Sequence, residues 1–313
     1  MRPGKSDIPG RKIPLHPTKH AKMSYVCANL PSMGPQLWTP TRDTSEQLRH
    51  RALRGDLVRV RRGWYADPAE QDAALAAATT KMGAVASHQS AVALWGLPTL
   101  GPPGPRLHVT RPRRHQGTVR DYPDVVLHHA SLPPEHLTVH RGIPITTPAR
   151  TVIDIARGHP FRHAVAVADA ALRQRLCTRE ELTATLTHCR GWPGSRSATR
   201  VAEFADPRAE SPLESISRVA FHEHGLPPAL LQAVIGGYDR VDFLWDEFRV
   251  VGEADGLSKY TAPDVLRREK YRQEAIAALG FTVFRWTWRD AYYRPDALAY
   301  RAEQILIRHG YRP

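Results

Sequence analysis

The sequence predicts a multidomain protein of mixed α+β and α/β class, on three observations. A short helix pattern runs straight into a basic hairpin between residues 45 and 68, the layout of an N-terminal winged-helix-like module. Helix and strand signals then alternate from 69 to 205, a mixed α/β middle domain closed by a break at Gly191, Pro193, Gly194 and Ser195. From 211 to 313 the order is helix, hairpin, helix, strand. At 313 residues the chain has room for two or three such domains, each with its own core.

Composition narrows the partners. Forty-four Lys and Arg against 31 Asp and Glu give a net charge of +13, which points to a polyanion, nucleic acid first, or else to a solvated basic surface. Cys27, Cys177 and Cys189 are widely spaced and form no C-x-x-C pair, so neither a disulfide scaffold nor a zinc ribbon is indicated. Residues 1–44, rich in Pro and Lys, carry no signal-peptide core, and no run is long enough to span a bilayer. A disordered leader, a cytoplasmic protein with no membrane partner, and Met23 or Met33 as alternative starts are the expectations.

In the module at 45–68, Ser45 is placed to cap a helix through Leu48, Ala52 and Leu53, with Gly55 as its stop. Leu57, Val58 and Val60 then give one strand, Arg62-Gly63 the turn, and Trp64-Tyr65 the return. Arg49, Arg51, Arg54, Arg59, Arg61 and Arg62 all fall here, where guanidinium groups suit DNA phosphates. In the middle region, helices are expected near 72–79, 87–95, 163–175 and 178–189, and strands at 107–110 and 125–128. Thr147-Pro148 opens another helix through Val152, Ile153 and Ile155. His128-His129 reads as a surface pair.

The stretches SEQLRHRALRGDLVRVRRGWYAD, SHQSAVALWGLP and GIPITTPARTVIDIA resemble the AbiEi antitoxin family over roughly residues 45–205. The resemblance implies a winged helix-turn-helix that binds its own promoter, in an operon with a nucleotidyltransferase-like toxin. Upstream of Ser45 the chain departs from the family pattern, because Pro31, Pro35 and Pro40 interrupt the place of the earlier helices.

The segment RVDFLWDEFRVVGEADG alternates apolar and polar residues about Asp246-Glu247 and reads as a hairpin turning there. With Trp245 opposite Phe248, the residues Val241, Phe243, Trp245, Phe248 and Val250 share an apolar face, whereas a one-residue slip would bury charge. That register sets Asp242 opposite Val251, with Glu253 its diagonal neighbour. Carboxylates about 7 Å apart repel by ~2.4 kcal/mol at an effective dielectric near 20, so a cation is expected between them. Mg2+ fits, since it takes one or two carboxylates and keeps its waters. The alternative is structural: Arg240 falls opposite Glu253 and can pair with it across the strands.

Asp242, then Glu253 after a hairpin, then EADG, resembles the PD-(D/E)XK nucleases, most closely their very-short-patch-repair-like members. SPLES, GLPPALLQ and LRREKYRQEAIAALGFTVFRWTW keep that family's order. The resemblance implies a restriction-endonuclease-like domain over 211–313, with a central mixed sheet flanked by helices. It puts Glu214, Asp242 and Glu253 at the acidic positions and Arg268, Arg272 and Arg285 at basic positions facing the substrate backbone. Asp255 stands where that family carries lysine, so Lys259 or Lys270 would have to supply the amine. Glu214 has a second reading as the far end of a Ser211–Glu214 capping box.

Two functions follow from these residues. One is an antitoxin-type DNA-binding regulator with a nuclease-like C-terminal domain; the other is a Mg2+-dependent DNA endonuclease of defence or repair. A non-catalytic scaffold is a third.

Overall fold

The computed structural model describes residues 11–13, 35–39, 44–61, 63–70, 72–102, 104–112, 123–236, 239–255 and 263–313. Arg62 and Lys259 lie outside them, as do the side chains of Arg61, Arg268 and Lys270. The described residues form two compact units: one of residues up to 96 with 102–151, the other of 97–101 with 152–313. Three sheets and eleven α-helices make up this mixed α/β architecture among the described residues. No described helix is long and apolar enough to cross a membrane.

In the first unit, strands β1 (Arg11–Ile13), β2 (Leu37–Thr39), β3 (Val58–Arg61) and β4 (Trp64–Ala66) pair in the order β1-β2-β4-β3. Residues 11–13 and 37–39 are therefore strands, a correction to the disordered leader expected over 1–44. Leu37 explains it, since its side chain is buried with Trp64 and Ala66. The expected helix is α1 (Ser45–Leu53), but Thr44 rather than Ser45 is its N-cap, and no side chain caps it. Gly55 ends it at φ +81°, a value glycine reaches without a Cβ penalty.

The same unit continues with α2 (Ala73–Met82), β5 (Val85–Ala86), α3 (His88–Leu94), β6 (Leu107–Arg111), β7 (Val125–His129), β8 (Leu137–His140) and β9 (Ile143–Thr146). The order of this five-stranded sheet is β7-β6-β5-β9-β8. Helix α2 is alanine-rich, and small side chains let it share one core with both sheets of the unit. His128 is no free surface residue: it stacks on His88 and lies 3.0 Å from Nδ1 of His108.

The second unit takes most of α4 (Pro148–Gly158), then α5 (Phe161–Arg173), α6 (Arg179–His188), α7 (Ser195–Phe204) and α8 (Pro212–Glu223). The break at 191–195 is the turn between α6 and α7. A sheet follows of β10 (Leu230–Ile235), β11 (Asp239–Trp245), β12 (Val250–Asp255) and β13 (Thr282–Thr287), in that spatial order, with β12 and β13 parallel. Helix α9 (Pro263–Ala278) is the crossover between that parallel pair, and α10 (Trp288–Tyr293) and α11 (Pro295–Arg308) complete the unit.

The sheet is buried on both faces. Phe243, Trp245, Val250 and Trp286 pack with Leu213 and Ile216 of α8 and Leu298 of α11, while Val241, Leu244 and Val251 pack with Ile276 of α9. This corrects the expected single apolar face: Val241 belongs to the second core.

Candidate active site

The register of β11 on β12 differs from expectation. Trp245 lies opposite Val250 and Leu244 opposite Val251, so every partner moves by two residues. Four residues make the turn instead of two: a 3-10 turn at Asp246–Phe248, then Arg249 at φ +53°. Arg249 anchors that longer turn to the end of α9, its guanidinium donating to the carbonyl of Leu279 and lying 4.0 Å from the Phe281 ring centroid. A shift of two preserves which side each residue faces. One step past the Phe243–Gly252 pair, it brings Asp242 level with Glu253 rather than diagonal to it.

Gly252 sits at this step because there is no room for a side chain. A Cβ there would lie 2.8 Å from the Trp286 ring and 3.1 Å from Cβ of Phe243. Gly252→Ala is expected to cost about 1–3 kcal/mol through overpacking, measured by urea denaturation; an unchanged midpoint would contradict the tight packing inferred here.

Three elements deliver the carboxylates. Asp242 on β11 accepts at Oδ2 from the backbone N–H of Ala254, 2.9 Å away, and at Oδ1 from Nε2 of Gln232, 3.2 Å away. The same Nε2 donates to Oε2 of Glu214 at 2.9 Å. Glu214 lies in the first turn of α8, which is seated on the sheet by Leu213, Ile216 and a 2.6 Å bond from Trp286 Nε1 to Ser217 Oγ. Its Oε1 accepts from the Ser211 hydroxyl at 2.7 Å and its Oε2 from the Glu210 amide at 2.9 Å. Ser211 caps α8 by accepting from the Glu214 amide at 3.1 Å, but the full capping box is not formed, since the Glu214 carboxylate takes the Glu210 amide rather than the Ser211 amide and also reaches Gln232 on β10.

Glu253 on β12 accepts at Oε1 from Nη2 of Arg272, 2.8 Å away. Arg240 pairs instead with Glu210 through two bonds of 2.7 and 2.8 Å, which corrects the expected Arg240–Glu253 bridge. The register shift is the reason, for Arg240 no longer stands level with Glu253. Arg272 also donates to the backbone carbonyl of Arg240. Arg285 is level with Glu253 on β13, and its Nε lies 3.8 Å from Asp255 Oδ2. Of the two arginines read from sequence as substrate-facing, Arg272 is therefore bonded to Glu253, and Arg285 lies beside Asp255.

Burial pushes the Glu253 carboxyl up to about 7; the neighbouring charge of Asp242 adds to this, and Arg272 and Arg285 oppose it. Glu214 is raised chiefly by burial too, with Asp242 contributing and the Glu210 amide and Ser211 hydroxyl opposing. Burial thus disfavours the charged form of both carboxyls, even with Arg272 beside Glu253. Asp242 and Glu253 would suit one hard divalent cation in donor chemistry, because each ionised carboxylate oxygen has a second lone pair and Mg2+ keeps several waters. Among the described residues, no group of three or more His, Cys, Asp or Glu side chains is placed to hold an ion. Gln232 escaped the sequence reading, although GLPPALLQ ends on it; a lone glutamine in a strand carries no signal of what faces it.

In the basic segment, Arg49 on α1 and Arg59 on β3 are exposed. Arg54 pairs with Asp56 at 3.0 Å, and the Arg51 guanidinium lies 5.9 Å from the Trp38 ring centroid.

Residues 83–204 match the AbiEi antitoxin C-terminal domain. Two proteins of Mycobacterium tuberculosis, the uncharacterized protein MT2308 of strain CDC 1551 / Oshkosh and the uncharacterized protein Rv2248 of strain ATCC 25618 / H37Rv, are each 34% identical over 275 residues, covering 85% of this chain and 98% of theirs. The chain belongs to their family. Members of this family thus share with it both the stretch matching the antitoxin domain and most of the sequence around it. The crystal structure of RV2827C protein from Mycobacterium tuberculosis is 19% identical, with a TM-score of 0.37 over 56% of this chain and 69% of that one, a likeness too loose to assign a common fold.

Proposed function

We propose that this AbiEi antitoxin-domain protein is a DNA-binding member of an abortive-infection toxin–antitoxin pair whose second unit bears a Mg2+-dependent phosphodiester-cleaving centre. The observation that carries the reading is the meeting of Asp242, Glu253 and, through Gln232, Glu214, from three separate elements. Asp242 and Glu253 would hold the ion, which when bound would polarise a phosphodiester and lower the pKa of an attacking water. Gln232 and the Ala254 amide orient Asp242, and Arg272 compensates the buried charge of Glu253. With Asp255 in the usual lysine position, the amine falls to Lys259 or Lys270, whose side chains lie outside the described residues. The antitoxin domain supports a cognate toxin as partner; the family resemblance suggests a nucleotidyltransferase-like one encoded nearby and not necessarily bound directly.

The test is supercoiled plasmid incubated with the full chain and Mg2+ or Mn2+, against EDTA. Nicking with either ion and none with EDTA is expected; no nicking with either ion contradicts the hydrolytic reading.

The DNA-binding half rests on Arg49, Arg59, Arg61 and Arg62 in the basic segment. Arg49→Ala and Arg59→Ala are each expected to weaken binding to the DNA upstream of the gene and to reduce its log–log salt slope by about 1 for each phosphate no longer neutralised. Fluorescence anisotropy across a salt series checks this, and unchanged slopes would remove the segment from the interface.

A further inference from the structure

We infer that Gln232 is a positioning residue, a strained clamp that sets the spacing of the carboxylates in the proposed centre. The inference rests on the reading of Asp242 and Glu253 as ligands of one divalent ion. Gln232 lies on β10 at φ +52°, a left-handed conformation that residues with a Cβ avoid. The ladder with β11 breaks at that point: Leu231 pairs with Phe243 and Ala233 with Val241, but no Gln232–Asp242 pair forms between them. Regular pairing is given up there, and the side chain lands where one amide nitrogen donates to two carboxylates, Glu214 Oε2 and Asp242 Oδ1. Both partners only accept when ionised, which fixes the NH2 end of the amide toward them.

Backbone strain held in place by its surroundings gathers where geometry serves function. Through this clamp Glu214 acts on Asp242 without touching the ion. Groups that orient metal ligands in this way typically change metal affinity about 10–100-fold when removed.

The experiment is calorimetric titration of Mg2+ into the full chain as parent, Asp242→Ala, Gln232→Gly and Gln232→Ala, each with a thermal melt. Gln232→Gly relaxes the backbone but takes the donor from two carboxylates, so a retained cooperative melt with Mg2+ binding weakened about 10–100-fold is expected. Should Gln232→Gly fail to fold, Gln232→Ala reports the same loss. Either variant binding Mg2+ as tightly as the parent overturns the inference while leaving the ion site standing. A parent that binds no Mg2+, or binds it equally well after Asp242→Ala, overturns the ion site and the inference with it.

Discussion

Asp242→Ala is expected to lower Mg2+-dependent plasmid nicking at least about 10²–10³-fold, the rate worth of several kcal/mol of charge stabilisation removed with the ion. The change removes a ligand and also leaves the Ala254 amide and Gln232 Nε2 without the acceptor they share. Glu253→Ala should show a loss of the same order, since a two-carboxylate site cannot hold Mg2+ tightly through one. In the proposed centre the two residues would serve one ion, so the double variant should be no slower than the worse single variant. Initial nicking rates on one plasmid preparation check this. Equal rates in parent and both variants would assign the cleavage to a contaminant.

The second large effect is on stability. Glu253→Gln is expected to stabilise the metal-free protein by about 3 kcal/mol at pH 8. The folded chain holds the Glu253 proton up to about 7, against an ordinary value of 4.5, so between those values the folded state binds more protons than the unfolded one. Stability from this group is therefore greatest below pH 4.5, declines as pH rises to about 7, and is flat above. At about 1.36 kcal/mol per pH unit the loss is about 3 kcal/mol. Glutamine mimics the protonated carboxyl and escapes the decline, so the variant's advantage should vanish near pH 4.5. Urea denaturation in EDTA from about pH 4.5 to 8 measures it, and parallel profiles would show that Glu253 is not strained by burial.

What the sequence disclosed depended on how local the signal was. Helix α1 and the β3–β4 hairpin came from contiguous patterns, as did α6, whose Thr178–Glu181 capping box is formed. Asp242 and Glu253 were legible as a pair because strand alternation fixes which side each residue faces, and the two-residue shift preserved it. Their partner was not legible. Arg272 arrives from α9, after a crossover, and only the tertiary fold could place it on Glu253 in place of Arg240. The turn length was misjudged because Arg249 is held by Leu279 and Phe281, thirty and more residues away. Strand β2 was hidden because Leu37 lies in a proline-rich stretch and is buried by partners distant in sequence, Trp64 and Ala66 among them. Gln232 was hidden most completely, since its role comes from a backbone conformation that no residue pattern encodes.

The most direct test of a shared ion between Asp242 and Glu253 is electron paramagnetic resonance of Mn2+ titrated into the full chain. A single equivalent of tightly held Mn2+ is expected in the parent, displaced by Mg2+ and absent in Asp242→Ala. A parent that leaves the free-ion signal undiminished would contradict the two-carboxylate centre.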